Sequence, residues 1–330
     1  MNKIFLCDNP HPAHALLAKS IDCKFVENKK EGLGILPGIG RVFQSRAIID
    51  NIEKYEPDLI LTENTSRDLL CATRYKMKHP KTKVVAILAD PKIYEFSDAP
   101  KFDKRLTIQS LAGADVLLVV SDLVKSYIPP QFWYKVHKFY PAIMDLETRT
   151  TNCATFCNKG FVFVGRLDEY KGVDLLLKNW VEVVKGFDAS AKLTIAGDGK
   201  LKGIFRNQRI LGVNYIGQTN DSLWMHECGH MYLSFARFEP SGVAVAEAMS
   251  QGLVPILSEG VGFKELLPEE LSFLVTHSNK DIEFALKKLN DEEFWLKASN
   301  ECIKIASKLT PENSVKEFKN ALTLAGINFG

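Results

Sequence analysis

The chain has 330 residues, 46% hydrophobic and 25% charged, a globular composition that excludes a disordered or fibrous protein and fits about two domains of roughly 150 residues each. Its 42 basic residues against 40 acidic ones leave a net charge of +2, without the bulk positive field of most nucleic-acid-binding proteins. No apolar run approaches the ~20 residues of a bilayer span, MNKIFLCDNP enters a strand-like segment with no signal-peptide pattern, and seven cysteines lacking a C-x-x-C pair fit reduced thiols; a cytoplasmic protein is expected.

In residues 1–150 the pattern predicts strands at Ile4–Cys7, Lys24–Glu27, Leu59–Thr62, Val84–Ala89, Val116–Ser121 and Val136–Tyr140. Between them, helical periodicity covers Ala13–Ser20, Val42–Glu56, Ser66–Lys78 and Asp103–Ala112. The strands are nearly continuous apolar runs, the mark of parallel strands buried on both faces. Thr148–Gly160, polar and without period, reads as a linker. Beyond it, strands are expected at Phe161–Gly165, Leu193–Ala196, Asn214–Gly217, Met231–Phe235, Val254–Ser258 and Ser272–Val275. Helices are expected at Val173–Lys185, Ser222–Cys228, Gly242–Gln251, Asp281–Leu289, Glu292–Lys308 and Glu312–Ala325. This alternation predicts an α/β chain of two Rossmann-like, doubly wound parallel-sheet domains, 1–150 and 151–312, facing each other across a cleft, with a final helix at 313–330 returning to the first.

Two stretches carry chemistry. In Phe161–Leu176 a buried strand ends at Gly165-Arg166, and Lys171-Gly172 opens a helix. Two cations at that edge could clamp a pyrophosphate, and a Lys at a helix N-terminus opposes the macrodipole unless an anion is near. In Tyr232–Glu265 a strand leads to Glu239-Pro240-Ser241-Gly242 and an Ala-rich helix containing Glu247. The amides of Gly242 and Val243 offer an anion site, and the two carboxylates could accept hydroxyls on either side of a diphosphate. The bland alternatives are a surface Arg, a helix-start Lys, a capping acid and an ordinary helix Glu.

Together these stretches resemble the donor-binding domain of retaining GT-B glycosyltransferases of family 4, the glycosyl transferases group 1. The family's G-R-x-x-x-x-K-G segment is matched by Gly165-Arg166 and Lys171-Gly172, and its Gly-x-Gly strand end by Ala196-Gly197-Asp198-Gly199. Ile216-Gly217 matches the next strand end, and Glu239, Glu247, Ala248-Met249 and Gly252-Leu253-Val254-Pro255 match the element with two spaced Glu residues. The likeness covers about 110–275 well and the first hundred residues weakly.

The resemblance implies a hexosyl transfer from a UDP- or GDP-linked sugar to a glycan, glycolipid or lipid-linked acceptor, with retention and without metal or other cofactor. Arg166 and Lys171 would hold the diphosphate, Glu239 the sugar hydroxyls and Glu247 the ribose. Gly165, Gly242 and Val243 would lie at the phosphates, and Gly197 and Gly217 would leave room for the nucleoside. The glycine loop at 32–40, with Gly38 and Gly40, fits the family's N-terminal loop near the phosphates. Where the family often has His-Asp, this chain has Ala89-Asp90, which leaves Asp90 as the acceptor-side candidate. A catalytically silent sugar-nucleotide binder of the same fold, or a phosphorylase-like enzyme, are the alternatives.

His226-Glu227-Cys228-Gly229-His230 matches the zinc signature H-E-x-x-H, but Gly229 falls at the expected helix end, so the two rings should not converge. Aromatic and basic residues interleave in 125–140, and a basic run spans Arg74–Lys83. They fit either an aromatic core with a solvated charged face or peripheral contact with an anionic membrane. No nucleic-acid partner is expected.

Overall fold

The computed structural model describes residues 1–27, 39–146, 153–156, 160–207, 210–219 and 222–329. The chain divides into two compact units, Met1–Ala142 with Pro311–Gly330, and Ile143–Thr310. The division thus falls at Ala142/Ile143 and Thr310/Pro311, ahead of the expected linker. Its residue Ala154 is buried and donates its N–H to the Gln251 carbonyl (2.7 Å), and Phe156 lies against His230 and Trp295. A few apolar side chains within a polar stretch were enough to dock it.

The first unit is a six-stranded sheet of β1 (Lys3–Leu6), β2 (Lys24–Val26), β3 (Leu59–Glu63), β4 (Lys83–Leu88), β5 (Val116–Val119) and β6 (Val136–Lys138). Its order is β2-β1-β3-β4-β5-β6, and every pair is parallel. The helices are α1 (Pro12–Lys19), α2 (Ile39–Glu53), α3 (Arg67–Lys78), α4 (Pro91–Tyr94), α5 (Lys101–Gly113) and α6 (Asp122–Tyr127). The sequence pattern passes over α4 and α6, which are too short to show a helical period. Leu59–Leu61 and Val84–Leu88 are fully enclosed, as strands covered on both faces must be. The final helix, Pro311–Leu324, packs on this unit: it buries Phe318 and Leu322, Glu317 accepts from the Tyr140 N–H (2.8 Å), and Lys3 reaches the Phe329 carbonyl (2.7 Å).

The second unit is a sheet of β7 (Gly160–Val164), β8 (Lys192–Ala196), β9 (Val213–Gly217), β10 (Met231–Ser234), β11 (Val254–Ser258) and β12 (Val275–Thr276), in the order β12-β11-β10-β7-β8-β9 and again all parallel. Its helices are α7 (Val173–Asn179), α8 (Gly203–Asn207), α9 (Met225–Cys228), α10 (Val243–Ser250), α11 (Asn279–Leu289) and α12 (Glu292–Ala306). The helix expected at Val173–Lys185 instead opens into a wider turn at Trp180–Val184, where the buried Trp180 ring donates to the Leu211 carbonyl (2.9 Å). Strand order reverses between β7 and β10, and the carboxyl ends of strands at such a switch point are where open α/β sheets bind ligands.

Candidate active site

The loops after β7 and β10 are held against each other at that switch point. The N–H groups of Arg237 and Phe238 both donate to the Tyr170 carbonyl (2.9 and 3.0 Å). Gly172, at φ +66°, lies so close to the second loop that a Cβ there would sit 1.9 Å from the Phe235 carbonyl oxygen. Only glycine satisfies both the left-handed backbone and that approach. Arg237 braces the contact with a bidentate pair to Asp174 (2.7 and 2.7 Å) and a bond to the Glu169 carbonyl (2.8 Å). That hydrogen-bonded pairing holds the Asp174 carboxyl below the usual carboxylate range.

The loop contact brings Lys171 and Glu239 together. Lys171 Nζ donates to Glu239 Oε2, and each side chain is 17% exposed. Arg166 stays largely exposed, its Nε bonded to the Tyr170 hydroxyl (2.6 Å) and its guanidinium 5.3 Å from that ring. Lys171 Nζ lies 5.7 Å from the same ring, so Tyr170 stands between the two cations and orders both. Burial lifts its phenol above the usual range, against the opposing pull of Arg166.

Gly242, at φ +96°, is the N-cap of α10, and no side chain caps that end. The first amides of α10, Val243 onward, therefore present the helix's positive end without a cap from the N-cap residue's own side chain. Glu247, four residues on, accepts a hydrogen bond from Ser222 (2.6 Å). Gly197 sits where a Cβ would fall 1.8 Å from the Gly165 carbonyl oxygen, so its missing side chain serves the packing of the β7 and β8 ends. At Gly217 (φ +78°), by contrast, nothing among the described residues lies within 4 Å of where a Cβ would be.

In the first unit Asp90 follows β4. It is 9% exposed, Oδ1 has no hydrogen-bond partner among the described residues, and burial raises its carboxyl to about 6. Towards the end of β3 and in the following loop, Thr62, Thr65 and Ser66 also keep buried hydroxyl oxygens without partners among the described residues. At this sheet's own switch point, between β1 and β3, Glu63 pairs with His14 and accepts from the His11 N–H (3.2 Å). Gly38 lies outside the described residues, and Gly40 belongs to α2.

The zinc-like motif is split between elements. α9 ends at Cys228, His226 bonds the Leu223 carbonyl (2.7 Å), and His230 is buried against Phe161 and Trp295 with its Nδ1 at the Gly160 carbonyl (3.2 Å). Among the described residues no group of three His, Cys, Asp or Glu side chains is placed to hold a metal ion.

Sequence reasoning missed Tyr170, Ser222, Glu63 and His14. Tyr170 could have been found as the aromatic at the variable position just before Lys171. Ser222 and the His14–Glu63 pair join distant segments and leave no local signal.

Residues 158–290 match the family described as glycosyl transferases group 1. An uncharacterized glycosyltransferase of Haemophilus influenzae is 32% identical over 176 residues, 50% of this chain and 49% of that protein. The chain spans about half the length of the curated relatives it matches. Among solved structures, Anabaena HepE in complex with UDP-glucose superposes at a TM-score of 0.75 with 14% identity, covering 98% of this chain and all of that one. A trehalose-6-phosphate synthase gives 0.74 with 12% identity over 98% of this chain and 99% of its own. At such identities the structures speak for the fold, while the sequence match speaks for the second unit. Residues 158–290 thus match the glycosyl transferases group 1, on a chain whose two parallel six-stranded sheets have the GT-B fold.

Proposed function

We propose that the chain is a retaining, metal-independent glycosyltransferase that moves a hexosyl unit from a UDP- or GDP-linked sugar to a glycan, glycolipid or lipid-linked acceptor, working in the cytoplasm at the surface of an anionic membrane. The observation that carries this reading is the Lys171–Glu239 pair, with Arg166 beside it and the glycine-capped N-terminus of α10 on the next loop, at the second sheet's switch point. Two cations and a helix N-terminus give fixed positive charge where a leaving diphosphate gains negative charge. Glu239, released from Lys171 as the lysine turns to phosphate, would accept the sugar hydroxyls, and Glu247 the ribose hydroxyls. The bond from the anomeric carbon to the phosphate oxygen breaks, the acceptor oxygen bonds the same face, and its proton passes to the departing phosphate. Asp90 would orient the acceptor hydroxyl. UDP-glucose on HepE, and the glycosyl transfer with retention studied on the trehalose-6-phosphate synthase, favour the same chemistry.

The test pairs thermal-shift titration against UDP, GDP and ADP with NMR of the anomeric configuration in transfer and donor-hydrolysis products. Selective stabilisation by UDP or GDP and a retained anomer are expected, since a ligand at 100 times its Kd adds about 2.7 kcal/mol. An inverted anomer, or nucleotide binding with no release of sugar, would defeat the reading; the second result would mark a silent binder.

A further inference from the structure

The fold sorts the aromatic and basic residues of 125–140. Phe132 and Phe139 are core, whereas Trp133 is 44% and Tyr134 80% exposed. These two precede β6, at the edge of the first sheet where the strands begin. The basic run reaches the same edge, because α3 descends antiparallel to the strands and ends at Lys78. Met77, 74% exposed, projects there with Lys78, His79 and Lys81, all exposed. The turn Gly113–Asp115 joins the two groups. Lys76 bonds the Gly113 carbonyl (3.1 Å) and Asp115 (2.7 Å), and Lys135 bonds the carbonyls of Ala112 (2.9 Å) and Ala114 (2.7 Å). Asp115 is already engaged by Lys76 and lies 3.6 Å from Lys83, so its charge is neutralised within the face. Lys125 lies over the Trp133 ring (5.5 Å). Among the described residues no helix is long and apolar enough to cross a membrane. The exposed carboxylates Glu53, Glu56 and Asp58 flank the α3 side of this edge, where Lys54, Lys78, Lys81 and Lys83 outnumber them. What is exposed is a Met, a Trp and a Tyr among predominantly basic residues, the mixture that settles at an anionic headgroup boundary.

We infer that this face, formed by the end of α3, the α5–β5 turn and the residues before β6, lies against an anionic lipid surface. The orientation has a consequence for the substrate, resting on the transferase reading. Asp90 is at the opposite end of the strands, and a strand of six residues such as β4 is about 20 Å long. A hydroxyl handled beside Asp90 is therefore held away from the bilayer by the height of the sheet. A membrane-anchored acceptor must carry its growing end on a chain of several sugar units, and a bare lipid headgroup does not reach.

The experiment is cosedimentation of the full chain with phosphatidylglycerol/phosphatidylcholine vesicles at low salt, with pure phosphatidylcholine as control. Binding to the anionic vesicles alone, released by salt, is expected. Lys78→Glu with Lys81→Glu should weaken it by at least about tenfold, and Tyr134→Ser by a smaller factor. Brominated lipid should quench Trp133, judged against Trp133→Phe. A tryptophan placed beside Asp90 in Trp133→Phe/Lys92→Trp should stay bright. Absence of binding to anionic vesicles, or quenching of the Lys92→Trp reporter as strong as that of Trp133, overturns the inference. UDP titration of the same preparations separates it from the transferase reading. Nucleotide binding without lipid binding sinks this inference and the membrane location while leaving the sugar-transfer chemistry, and lipid binding without nucleotide binding sinks the transferase reading.

Discussion

At the carboxyl edge of the second sheet, Arg166, Lys171, Glu239 and Glu247 each have a polar partner. At the same edge of the first, Thr62, Thr65, Ser66 and Asp90 each keep a buried oxygen with none among the described residues. The folds are close copies, so the difference lies in the edge chemistry. A buried polar atom left unpaired costs about 1–3 kcal/mol, a cost the second unit avoids by pairing its charges with one another. Under the proposed function, a donor must open the Lys171–Glu239 pair, whereas an acceptor hydroxyl enters an edge that already lacks partners.

The largest effect is expected from breaking the paired edge. Lys171→Ala removes one fixed cation and leaves Glu239, 17% exposed, without its counter-charge. Loss of one electrostatic stabiliser of a developing charge lowers turnover by about 10²–10³, while circular dichroism should report an unchanged fold. Transfer at the parent rate would remove the diphosphate clamp. Next comes Gly172→Ala, which tests whether the loop contact is what assembles the pair. A Cβ 1.9 Å from the Phe235 carbonyl at φ +66° should destabilise the chain by about 3 kcal/mol or more, read as a shift in urea midpoint. Gly186→Ala, with nothing within 4 Å of the added Cβ, is the control and should change little.

The unpaired edge is probed by pH. Burial raises the Asp90 carboxyl from 3.8 to about 6, so between those values the folded chain holds a proton that the unfolded chain has lost. Stability therefore falls as pH rises through about 4 to 6, and at pH 7 the ionised, buried carboxylate costs up to about 3 kcal/mol. Asp90→Asn should flatten that window in urea titrations and be the more stable protein at pH 7. It should also transfer sugar to acceptor more slowly, with donor hydrolysis maintained. A variant with the parent's pH dependence would show that Asp90 does not titrate there.

Among the described residues eleven of the twelve strands can be read from the sequence, the central ones because strands buried on both faces are apolar without interruption, as in Val84–Leu88; the strand expected at Ser272–Val275 is instead a 3-10 turn through Leu274, with β12 at Val275–Thr276. Strand ends are legible too: Gly165-Arg166 and Lys171-Gly172 announce a turn with charge. What is illegible is whom each charge meets. Nothing near Lys171 in the chain says that its ammonium pairs with Glu239, 68 residues on. Spacing alone likewise leaves open that Gly197 is small for the sake of Gly165 while Gly217 faces open space. Burial sorted the aromatics of 125–140, and it depends on β6 being the edge strand, a fact of topology rather than of local sequence.

The smallest expected effect sharpens the comparison most. A divalent ion serving the leaving diphosphate would need carboxylates turned outward at the second edge. There Glu239 is taken by Lys171 and Glu247 by Ser222, and the positive charge is supplied by Arg166, Lys171 and the end of α10. Dialysis against EDTA should leave the transfer rate unchanged, and added Mg²⁺ or Mn²⁺ should not raise it. A rate that collapses with EDTA and returns with Mn²⁺ would mean that donor binding turns these carboxylates toward a cation. The second edge would then be a store of metal ligands held shut by its own lysine.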